Sequence, residues 1–335
     1  MKLTLKPLNE QVIVITGASS GIGLVTARAA AAKGAKVVLV SRSDDQLRSL
    51  VAEITAVGGV ADSFAADVGD AEAVKAAAAH AVERFGRIDT WVNNAGVTIY
   101  AKLMDTPNEE HERLFRTDYF GAVNGALAAV PHLKGGGALI TVASIVSDMP
   151  SPQMGAYAAA KHAVKAYMQS LRMELHNDGV PIAVTLVKPS GIDTPIGQHA
   201  TNHVRGEGQI PLPPYDPKLV ADAILFCAEH PKRDITVGGA GRAQVLFATH
   251  FPALLERLAP KAAAAFTDPT KRQPKPSNLF EGGIRTGQER SGEIPARQSS
   301  LYTAASKHPK TVAAISTGLT ASAIALLLMK SRRQS

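Results

Sequence analysis

The 335-residue sequence contains very little cysteine and few aromatic residues. Cys227 is its single cysteine, so an internal disulfide is impossible, and no CxxC motif or Cys/His cluster suggests a structural metal. This composition suits a reducing compartment. Aromatic side chains make up 5% of the chain, but hydrophobic residues together reach 45%, an ordinary value for a folded soluble protein. The apolar residues therefore suffice for a sizeable core.

The histidines give no convincing metal site either. His199 and His203 have the i,i+4 spacing that would suit a metal on a helix. They lie, however, in the 195–214 stretch, which contains several glycines and prolines. We interpret them as surface histidines or occasional substrate contacts, and we predict no metal.

The net charge of +7 is unevenly distributed. Residues 1–259 contain 24 Lys and Arg against 25 Asp and Glu, whereas residues 260–335 contain 12 against 4. The excess positive charge therefore belongs to the tail, and nucleic-acid binding by the whole chain loses its main support. A basic tail suits an anionic membrane surface or a solvated linker, and both alternatives stay open.

Short apolar runs alternate with longer Ala-rich segments along the first 259 residues. This alternation predicts βαβ units, a parallel sheet, and hence a doubly wound α/β fold. The predicted strands are Gln11–Thr16, Lys36–Val40, Asp89–Val92, Ala138–Val142 and Ile182–Val187. The predicted helices cover about 22–33, 44–57, 70–85, 108–134 and 155–178. Functional residues are then expected directly after the strands.

The composition changes after residue 259. Residues 260–310 are rich in Pro, Gly, Ser, Lys and Arg, which predicts a linker with little fixed structure. Thr311–Met329 contains no charge, and a helix of this length, about 28 Å, nearly spans a hydrocarbon core of about 30 Å. It is predicted to be a transmembrane or membrane-associated helix, with a helix docked on the protein's own surface as the alternative. The N-terminus has no apolar run before the first strand, so residues 1–259 are expected to face the cytoplasm.

The first strand leads into a glycine-rich turn, Thr16-Gly17-Ala18-Ser19-Ser20-Gly21-Ile22-Gly23. Glycines permit a tight turn and the close approach of a pyrophosphate. A helix that begins near Gly21 would offer free N–H groups and its positive dipole end to that phosphate. The position between an apolar strand and a helix therefore favours a dinucleotide site.

TGASSGIG resembles the TGxxxGxG cofactor turn of the short-chain dehydrogenases/reductases, and four further motifs follow in that family's order. They are Asp67-Val68, Asn93-Asn94-Ala95-Gly96, Ser144 with Tyr157 and Lys161, and Pro189–Thr194. The resemblance covers roughly residues 8–250 and implies a Rossmann-like catalytic domain over residues 1–259. The cofactor contacts implied by the resemblance or by position are Gly17, Ser19, Ser20, Gly21, Ile22, Gly23, Ser41, Arg42, Asp67, Val68, Asn94, Ala95, Gly96, Tyr157, Lys161, Pro189, Gly191, Ile192 and Thr194.

Ser144, Tyr157 and Lys161 are the predicted catalytic residues. Tyr157 and Lys161 are four residues apart and share one face of a helix. The ammonium of Lys161 is expected to favour the phenolate of Tyr157 and so to lower the pKa of a side chain that usually titrates near 10. Tyr157 would exchange a proton with the substrate, Ser144 would hydrogen-bond the substrate oxygen, and the nicotinamide would supply the hydride chemistry.

Position 118 departs from the family pattern. Arg116–Gly121 occupies the place of a VNxxG segment, so Asp118 replaces an asparagine that anchors a relay water in many family members. The aspartate could hold the same water and keep Lys161 protonated. It could also merely fill the site or reduce activity, so a catalytic role for Asp118 stays an open hypothesis.

The residues after the second strand predict the cofactor. An acidic residue there usually selects NAD, because it binds the ribose 2′-hydroxyl and repels a 2′-phosphate. This sequence has Ser41-Arg42 instead, and an arginine can bind a phosphate in two places. The predicted cofactor is therefore NADP(H).

The sequence thus predicts an NADP(H)-dependent oxidoreductase that interconverts a carbonyl and an alcohol. The alternative is a membrane-docked NADP(H)-binding sensor or scaffold with catalysis weakened by Asp118. Met149, Pro150, Met154 and the residues around Ile192 are expected to line the substrate pocket, which suggests a substrate with an apolar part. The resemblance also implies a homodimer or homotetramer formed through the predicted helices 108–134 and 155–178.

Overall fold

Seven parallel strands form one central sheet in the computed structural model, which describes residues 3–210, 212–263, 266–272, 275–282, 286–292 and 295–307. The strands of this sheet are β1 (Val12–Thr16), β2 (Lys36–Ser41), β3 (Val60–Ala65), β4 (Thr90–Asn93), β6 (Gly137–Val142), β7 (Ile182–Pro189) and β10 (Asp234–Val237). Two short pairs lie outside this sheet, β5 (Ile99–Tyr100) with β8 (Thr201–Asn202) and β9 (Glu207–Gly208) with β11 (Thr267–Asp268).

The order of the strands across the central sheet is β10-β7-β6-β4-β1-β2-β3, and all neighbouring strands are parallel. The order reverses between β1 and β4, where doubly wound sheets bind their ligands.

Helices cover both faces of the sheet. Helices α1, α2 and α8 pack on one face, and α3, α5 and α6 pack on the other. The helices are α1 (Gly21–Ala32), α2 (Asp44–Ala56), α3 (Ala71–Phe85), α4 (Asn108–Phe115), α5 (Gly121–Leu133), α6 (Gly155–Asn177), α7 (Ile196–His199), α8 (Pro217–Glu229), α9 (Gly239–His250), α10 (Pro252–Ala263) and α11 (Leu301–Lys307). Short 3₁₀ turns lie at Leu8–Glu10, Leu103–Asp105 and Ile145–Ser147.

The core consists of two apolar layers separated by the sheet. Ile13 and Ile15 of β1 point into the layer beneath α1 and α8, and Val14 points into the layer beneath α3, α5 and α6. All three side chains are fully buried. This explains why the central strands are apolar throughout, because a strand covered on both faces has no solvated side.

Local signals set the ends of the helices. The carboxylate of Asp70 accepts hydrogen bonds from the amides of Glu72 and Ala73 at 3.0 and 3.2 Å, which satisfies two of the free N–H groups at the start of α3. The helix ends at Gly86, whose φ of +81° is a left-handed conformation that favours glycine.

The predicted parallel α/β fold is confirmed, but two of its strands had no strong sequence signal. β3 contains Asp62 and Ser63 and is mostly half-exposed, and β10 has only four residues. Both lie at an edge of the sheet, where one side of the strand has no neighbour. Edge strands of this kind need no continuous apolar run, so the apolar pattern that predicts the central strands does not reveal them.

The helix predicted over residues 108–134 is interrupted. α4 ends at Phe115, a π-helical turn covers Arg116–Phe120, and α5 begins at Gly121. A π-turn inserts an extra residue into the helix and changes which side chains face inward. Here Thr117 and Asp118 are buried.

The C-terminal stretch differs from the expected linker with little fixed structure. The boundary predicted at residue 259 falls inside α10, and described residues farther on pack against the sheet domain. Leu279, for example, is fully buried. The predicted membrane segment Thr311–Met329 lies outside the described residues. Among the residues that the structure does describe, no helix is long and apolar enough to cross a membrane.

Candidate active site

The glycine turn and the NNAG segment hold each other in place after β1 and β4. The amide of the Asn94 side chain donates hydrogen bonds to the carbonyl oxygens of Thr16 and Gly17 at 2.9 and 3.2 Å. The hydroxyl of Thr16 accepts bonds from the backbone amides of Asn94 and Ala95 at 3.0 and 3.2 Å. The two motifs predicted from the sequence therefore form one rigid edge at the reversal point of the sheet.

Two glycines of the turn are required by close backbone contacts. Gly17 has a φ of +68°, and a Cβ atom there would lie 2.7 Å from the Cα of Ala95. A Cβ atom at Gly23 would lie 2.2 Å from the carbonyl oxygen of Gly17. Any side chain at either position would force the turn away from the NNAG segment.

Two cavities open along this edge, and they share the lining residues Ser20, Gly96, His199 and Asn278. The catalytic cavity measures about 200 Å³, and the Arg42 cavity about 100 Å³. Of the predicted site residues, the catalytic cavity is lined by Ser20, Gly21, Ile22, Asn94, Gly96, Ser144, Tyr157, Lys161, Pro189, Gly191, Ile192 and Thr194. The Arg42 cavity is lined by Gly17, Ser19, Ser20, Ser41, Arg42, Asp67, Val68, Ala95 and Gly96.

The predicted catalytic residues converge on one side of the catalytic cavity. Ser144 follows β6, whereas Tyr157 and Lys161 lie on α6. The Ser144 side chain lies close enough to Tyr157 to lower the pKa of its phenol, and the Nζ atom of Lys161 lies 5.5 Å from the centre of the Tyr157 ring. Lys161 also donates a 3.4 Å hydrogen bond to the carbonyl oxygen of Val142 at the end of β6.

Asp118 lies behind this group, against Lys161. The Nζ atom of Lys161 is 3.1 Å from Oδ2 of Asp118, and both side chains are buried. The other carboxylate oxygen, Oδ1, accepts a 2.8 Å hydrogen bond from the backbone amide of Val97. The π-turn thus brings a carboxylate into a buried ion pair with the predicted catalytic lysine.

This ion pair changes the expected titration of Tyr157. Burial raises the pKa of the Tyr157 phenol above its usual value; the charge of Lys161 and the hydrogen bond from Ser144 oppose the rise, and the Asp118 carboxylate adds to it. Burial alone would lower the pKa of Lys161, but Asp118 and Tyr157 raise it above its usual value. Lys161 therefore acts in the expected direction, but burial and Asp118 outweigh it, so the pKa of Tyr157 stays above its usual value.

Arg42 and Asp67 contribute a basic and an acidic side chain to the lining of the Arg42 cavity, and each is engaged by neighbouring groups. The guanidinium of Arg42 donates hydrogen bonds to the carbonyl oxygens of Asn278 and Phe280 at 2.5 and 3.1 Å. Arg113 from α4 lies 2.6 Å from the carboxylate of Asp67. Burial would raise the pKa of Asp67, but the amide of Gly69 and the guanidinium of Arg113 hold it below its usual range. The cavity therefore has the Arg42 cation directly after β2, and the Asp67 carboxylate in its lining is already paired with Arg113.

Several residues at the site were missed by sequence reasoning. His199, interpreted from the sequence as a surface histidine or an occasional substrate contact, is buried and lines both cavities. His203 lies 2.7 Å from the carboxylate of Glu110. Asn278 and Phe266 come from the stretch expected to be a linker, and both line the catalytic cavity. Within the described part of the chain, no group of three His, Cys, Asp or Glu residues could hold a metal ion.

The residues at this edge fit a dinucleotide. Gly17 and Gly23 leave no room for a Cβ atom in the turn, and α1 begins at Gly21 beside both cavities. An extended molecule with two nucleotides could lie across the adjoining cavities, with its phosphates near the start of α1. Arg42 would then face the far ribose, and Tyr157 would face the nicotinamide.

Comparisons with known proteins agree with this architecture. The family model of the short chain dehydrogenases matches residues 11–205. The uncharacterized oxidoreductase YxnA of Bacillus subtilis is 42% identical over 334 residues, which cover 97% of this chain and 93% of that protein. The chain belongs to the short-chain dehydrogenase/reductase family.

Solved structures of the family share the fold. An alcohol dehydrogenase of the archaeon Thermococcus sibiricus, complexed with 5-hydroxy-NADP, has a TM-score of 0.60 and 28% identity, and the alignment covers 68% of this chain and 95% of that one. A short-chain dehydrogenase/reductase of Burkholderia phymatum in complex with NAD has a TM-score of 0.67 and 24% identity, with 81% and 99% of the two chains covered. The family model and the Bacillus subtilis relative establish an oxidoreductase of this family, and the solved structures share its fold.

Proposed function

We propose that the protein is an NADP(H)-dependent oxidoreductase that interconverts a carbonyl and an alcohol, with Tyr157 as its acid/base. The observation that carries this proposal is the convergence of Ser144, Tyr157 and Lys161 on a cavity that adjoins the Arg42 cavity. The first cavity suits a nicotinamide and a small substrate, and the second suits the adenosine end of the cofactor.

The proposed roles follow from the positions of the side chains. A bound nicotinamide supplies or accepts the hydride. Ser144 hydrogen-bonds the substrate oxygen, and the Tyr157 hydroxyl donates a proton to that oxygen in reduction or accepts one in oxidation. Lys161 places a positive charge near the Tyr157 oxygen, and Asp118 keeps the ammonium of Lys161 protonated.

The preference for NADP(H) rests on Arg42. Its guanidinium lines the cavity directly after β2, the place at which an acidic residue would favour NAD. The similarity to the Thermococcus enzyme, which was solved with 5-hydroxy-NADP, points the same way. A 2′-phosphate bound there would meet a cation that can donate two hydrogen bonds.

Apolar side chains line the part of the catalytic cavity away from the turn. Four residues or regions were expected there: Met154 and Ile192 do line the cavity, and Met149 and Pro150 do not. Ile210 and Phe266 are further apolar residues of the lining. Such a lining favours a carbonyl compound with an apolar part.

The sensor alternative draws no support from the comparisons.

Exposed apolar side chains on the helices that were predicted to form the oligomer interface support self-association. Phe120 precedes α5, Leu127 lies on α5 and Met173 lies on α6, and each is exposed by half or more of its surface. We expect a homodimer or homotetramer, which light scattering of the purified protein would detect; a monomer at all concentrations would contradict it.

Attachment to a membrane through Thr311–Met329 stays a prediction from the sequence alone, and so does a cytoplasmic position for the catalytic domain. The full chain is expected to pellet with membranes and to resist high-salt washing. Recovery in the soluble fraction without detergent would contradict this expectation.

A turnover screen tests the proposed activity. The full-length protein would be incubated with NADPH and a panel of ketones and aldehydes with apolar substituents, and oxidation of the cofactor would be followed by absorbance. We expect turnover of at least one carbonyl compound, and its loss in the Tyr157→Phe variant. Turnover that is equal in the unmodified protein and the variant would refute the assignment of Tyr157.

A further inference from the structure

The C-terminal stretch crosses the edge of the sheet at which the cofactor site lies. We use the word strap for the described residues 278–282 and 286–291 of this stretch. Asn278, Gly282 and Thr286 line the Arg42 cavity, and Asn278 also lines the catalytic cavity. The strap therefore forms the side of the cleft that faces away from the sheet.

The first part of the strap is fixed to the domain by burial. Leu279 is fully buried in an apolar cluster that includes Ile99 and Leu114. The amide of Asn278 donates a 2.9 Å hydrogen bond to the carbonyl oxygen of His199. This part thus occupies a defined position beside the two cavities.

The same part of the strap holds the Arg42 side chain. Nη2 of Arg42 donates a 2.5 Å hydrogen bond to the carbonyl oxygen of Asn278, and Nη1 donates bonds to Leu279 and Phe280 at 3.4 and 3.1 Å. A Cβ atom at Gly282 would lie 2.7 Å from the Cβ of Arg42, so the strap backbone also packs on the stem of the side chain. The hydrogen bonds to the strap use the two Nη atoms, and the side of the guanidinium that carries Nε–H can still donate to an anion.

The second part of the strap pairs with the glycine turn. The amide of Gly287 donates a 2.8 Å hydrogen bond to the carbonyl oxygen of Ser19, and the amide of Gly21 donates a 2.8 Å bond to the carbonyl oxygen of Gln288. These bonds lie on either side of Ser20, which lines both cavities.

Three consecutive strap residues bind three separate parts of the domain. The carboxylate of Glu289 lies 2.5 Å from the guanidinium of Arg28 on α1, and Arg290 forms an ion pair with Asp216 at the start of α8. The amide of Ser291 donates a 3.1 Å hydrogen bond to the carboxylate of Asp193, in the loop after β7. These three residues have no regular secondary structure, and an ion pair or a hydrogen bond from each of them fixes the segment to the domain.

We propose that the strap is the outer wall of the cofactor cleft: it closes over the bound dinucleotide and orients Arg42 to recognise the 2′-phosphate. This inference rests on the proposed function. NADP(H) then dissociates only when the strap moves away from the cleft. The choice between NADPH and NADH depends on strap carbonyl groups that hold Arg42, among them that of Asn278, 236 residues farther along the chain.

The Glu289→Gln/Arg290→Gln double variant of the full chain tests the proposal. It removes the strap's charge from each of the two ion pairs and leaves the net charge of the protein unchanged. Release of NADPH and of NADH is measured by stopped-flow fluorescence after displacement by excess cofactor. The matched control is Glu72→Gln/Lys75→Gln, which alters an exposed ion pair on α3 away from the cleft.

We expect NADPH to leave the double variant about tenfold faster, the change that a loss of about 1.4 kcal/mol produces. NADH release should change less, because NADH has no 2′-phosphate for the loosened Arg42 to hold. Hydrogen exchange at the amides of Gly21 and Gly287 should rise in the same variant, and the control should behave as the unmodified protein does.

A second variant, Gly282→Ala, tests the contact with Arg42 directly. Its methyl group would push the strap from the arginine stem, so affinity for NADPH should fall relative to NADH. Release rates and cofactor preference that stay unchanged in both variants would overturn the proposal. Tighter NADPH binding in both would also overturn it, since the strap would then compete with the cofactor. Failure of the proposed function looks different, because the unmodified protein would then bind neither cofactor or would show no preference for NADPH over NADH.

Discussion

The ammonium nitrogen of Lys161 lies 3.1 Å from the carboxylate of Asp118, and both side chains are buried beside the candidate active site. Close charge pairs in such a setting interact strongly, because little water screens them. The positive charge of Lys161 therefore interacts with both the Asp118 carboxylate and the phenol of Tyr157. This relationship makes the titration of Tyr157 depend on a residue that does not line either cavity.

The Asp118→Asn substitution is expected to shift the pH profile of alcohol oxidation to lower pH. The Asp118 carboxylate raises the pKa of Tyr157, so its removal leaves Lys161 free to stabilise the phenolate. The basic form of Tyr157 would then be populated from a lower pH upward, and activity should be retained or raised. The measurement is kcat/KM for oxidation against pH.

The asparagine oxygen can still accept the hydrogen bond from Val97, which keeps the backbone in place. Asp62→Asn, on the edge strand β3, serves as the control for loss of a carboxylate elsewhere. A profile that does not move, or that moves to higher pH, would show that Asp118 does not act on Tyr157 through its charge.

The Tyr157→Phe substitution is expected to abolish turnover and to leave NADPH binding nearly intact. The ring remains in place, and only the transferable proton is lost. Acid/base catalysis of this kind contributes roughly 10²–10⁴-fold to the rate, so kcat should fall by at least the lower figure. Steady-state kinetics and cofactor titration measure the two effects separately.

Tyr167→Phe is the matched control for this substitution. Tyr167 lies on the same helix and packs edge-on against Tyr119, and it does not line the catalytic cavity. Substantial residual activity in Tyr157→Phe, comparable with that of Tyr167→Phe, would assign the acid/base role to another group.

The Arg42→Asp substitution is expected to reduce the use of NADPH and to spare or improve the use of NADH. Charged hydrogen bonds contribute roughly 1.5–3 kcal/mol, which corresponds to about one to two decades in affinity for NADPH. The measurement is kcat/KM for each cofactor with the same carbonyl substrate. Arg48→Asp on the exposed face of α2 is the control. Equal turnover with both cofactors by the unmodified protein would refute the preference.

The Asp148→Asn substitution is expected to lower the free energy of unfolding by about 2 kcal/mol near neutral pH. Asp148 lies 2.5 Å from Lys165 on α6 and 2.9 Å from Lys188 on β7, and these bonds connect the helix to the sheet. Burial would raise the pKa of Asp148, but the two lysines hold it below its usual range. Urea unfolding of both proteins measures the difference.

The lowered pKa gives this prediction a pH dependence. A carboxyl whose pKa is lower in the folded state stabilises the fold above its unfolded pKa of about 3.9, and the contribution is lost as pH falls through the folded pKa. The difference between the two proteins should therefore be constant above about pH 5 and should shrink below about pH 4. Asp45→Asn, which is fully exposed, should show neither effect. A difference that persists unchanged in acid would mean that packing, and not charge, is the cause.

The sequence predicted the site residues at which only one residue type can serve, namely glycines with no room for a Cβ atom and side chains that take part in the proposed reaction. Gly17 and Gly23 stand where a Cβ atom has no space, and Tyr157 and Lys161 share a helix face. Spacing alone did not assign these residues; the resemblance to a family whose motifs occur in the same order did. The five strands with continuous apolar runs were found for a similar reason, because their burial on both faces requires such runs.

The strap was not predictable in this way. It binds Arg42, Ser19 and Gly21 largely through backbone atoms, and backbone groups leave no signature in the amino-acid sequence. Its glycines and prolines indicate irregular structure, which is also the composition of a linker. The charge of Asp118 near Lys161 was one of the open hypotheses for position 118, but the π-turn that directs Asp118 inward is not visible in helical periodicity.

The buried state of Cys227 makes the protein suitable for site-specific labelling. Its side chain is fully buried, and burial raises its pKa to about 12, so the thiol stays protonated and does not react with maleimides near neutral pH. The sequence contains no other cysteine. A Gln288→Cys substitution, at an exposed position of the strap, would therefore introduce the sole reactive thiol and could carry a fluorophore that follows strap opening in real time in the otherwise unmodified enzyme.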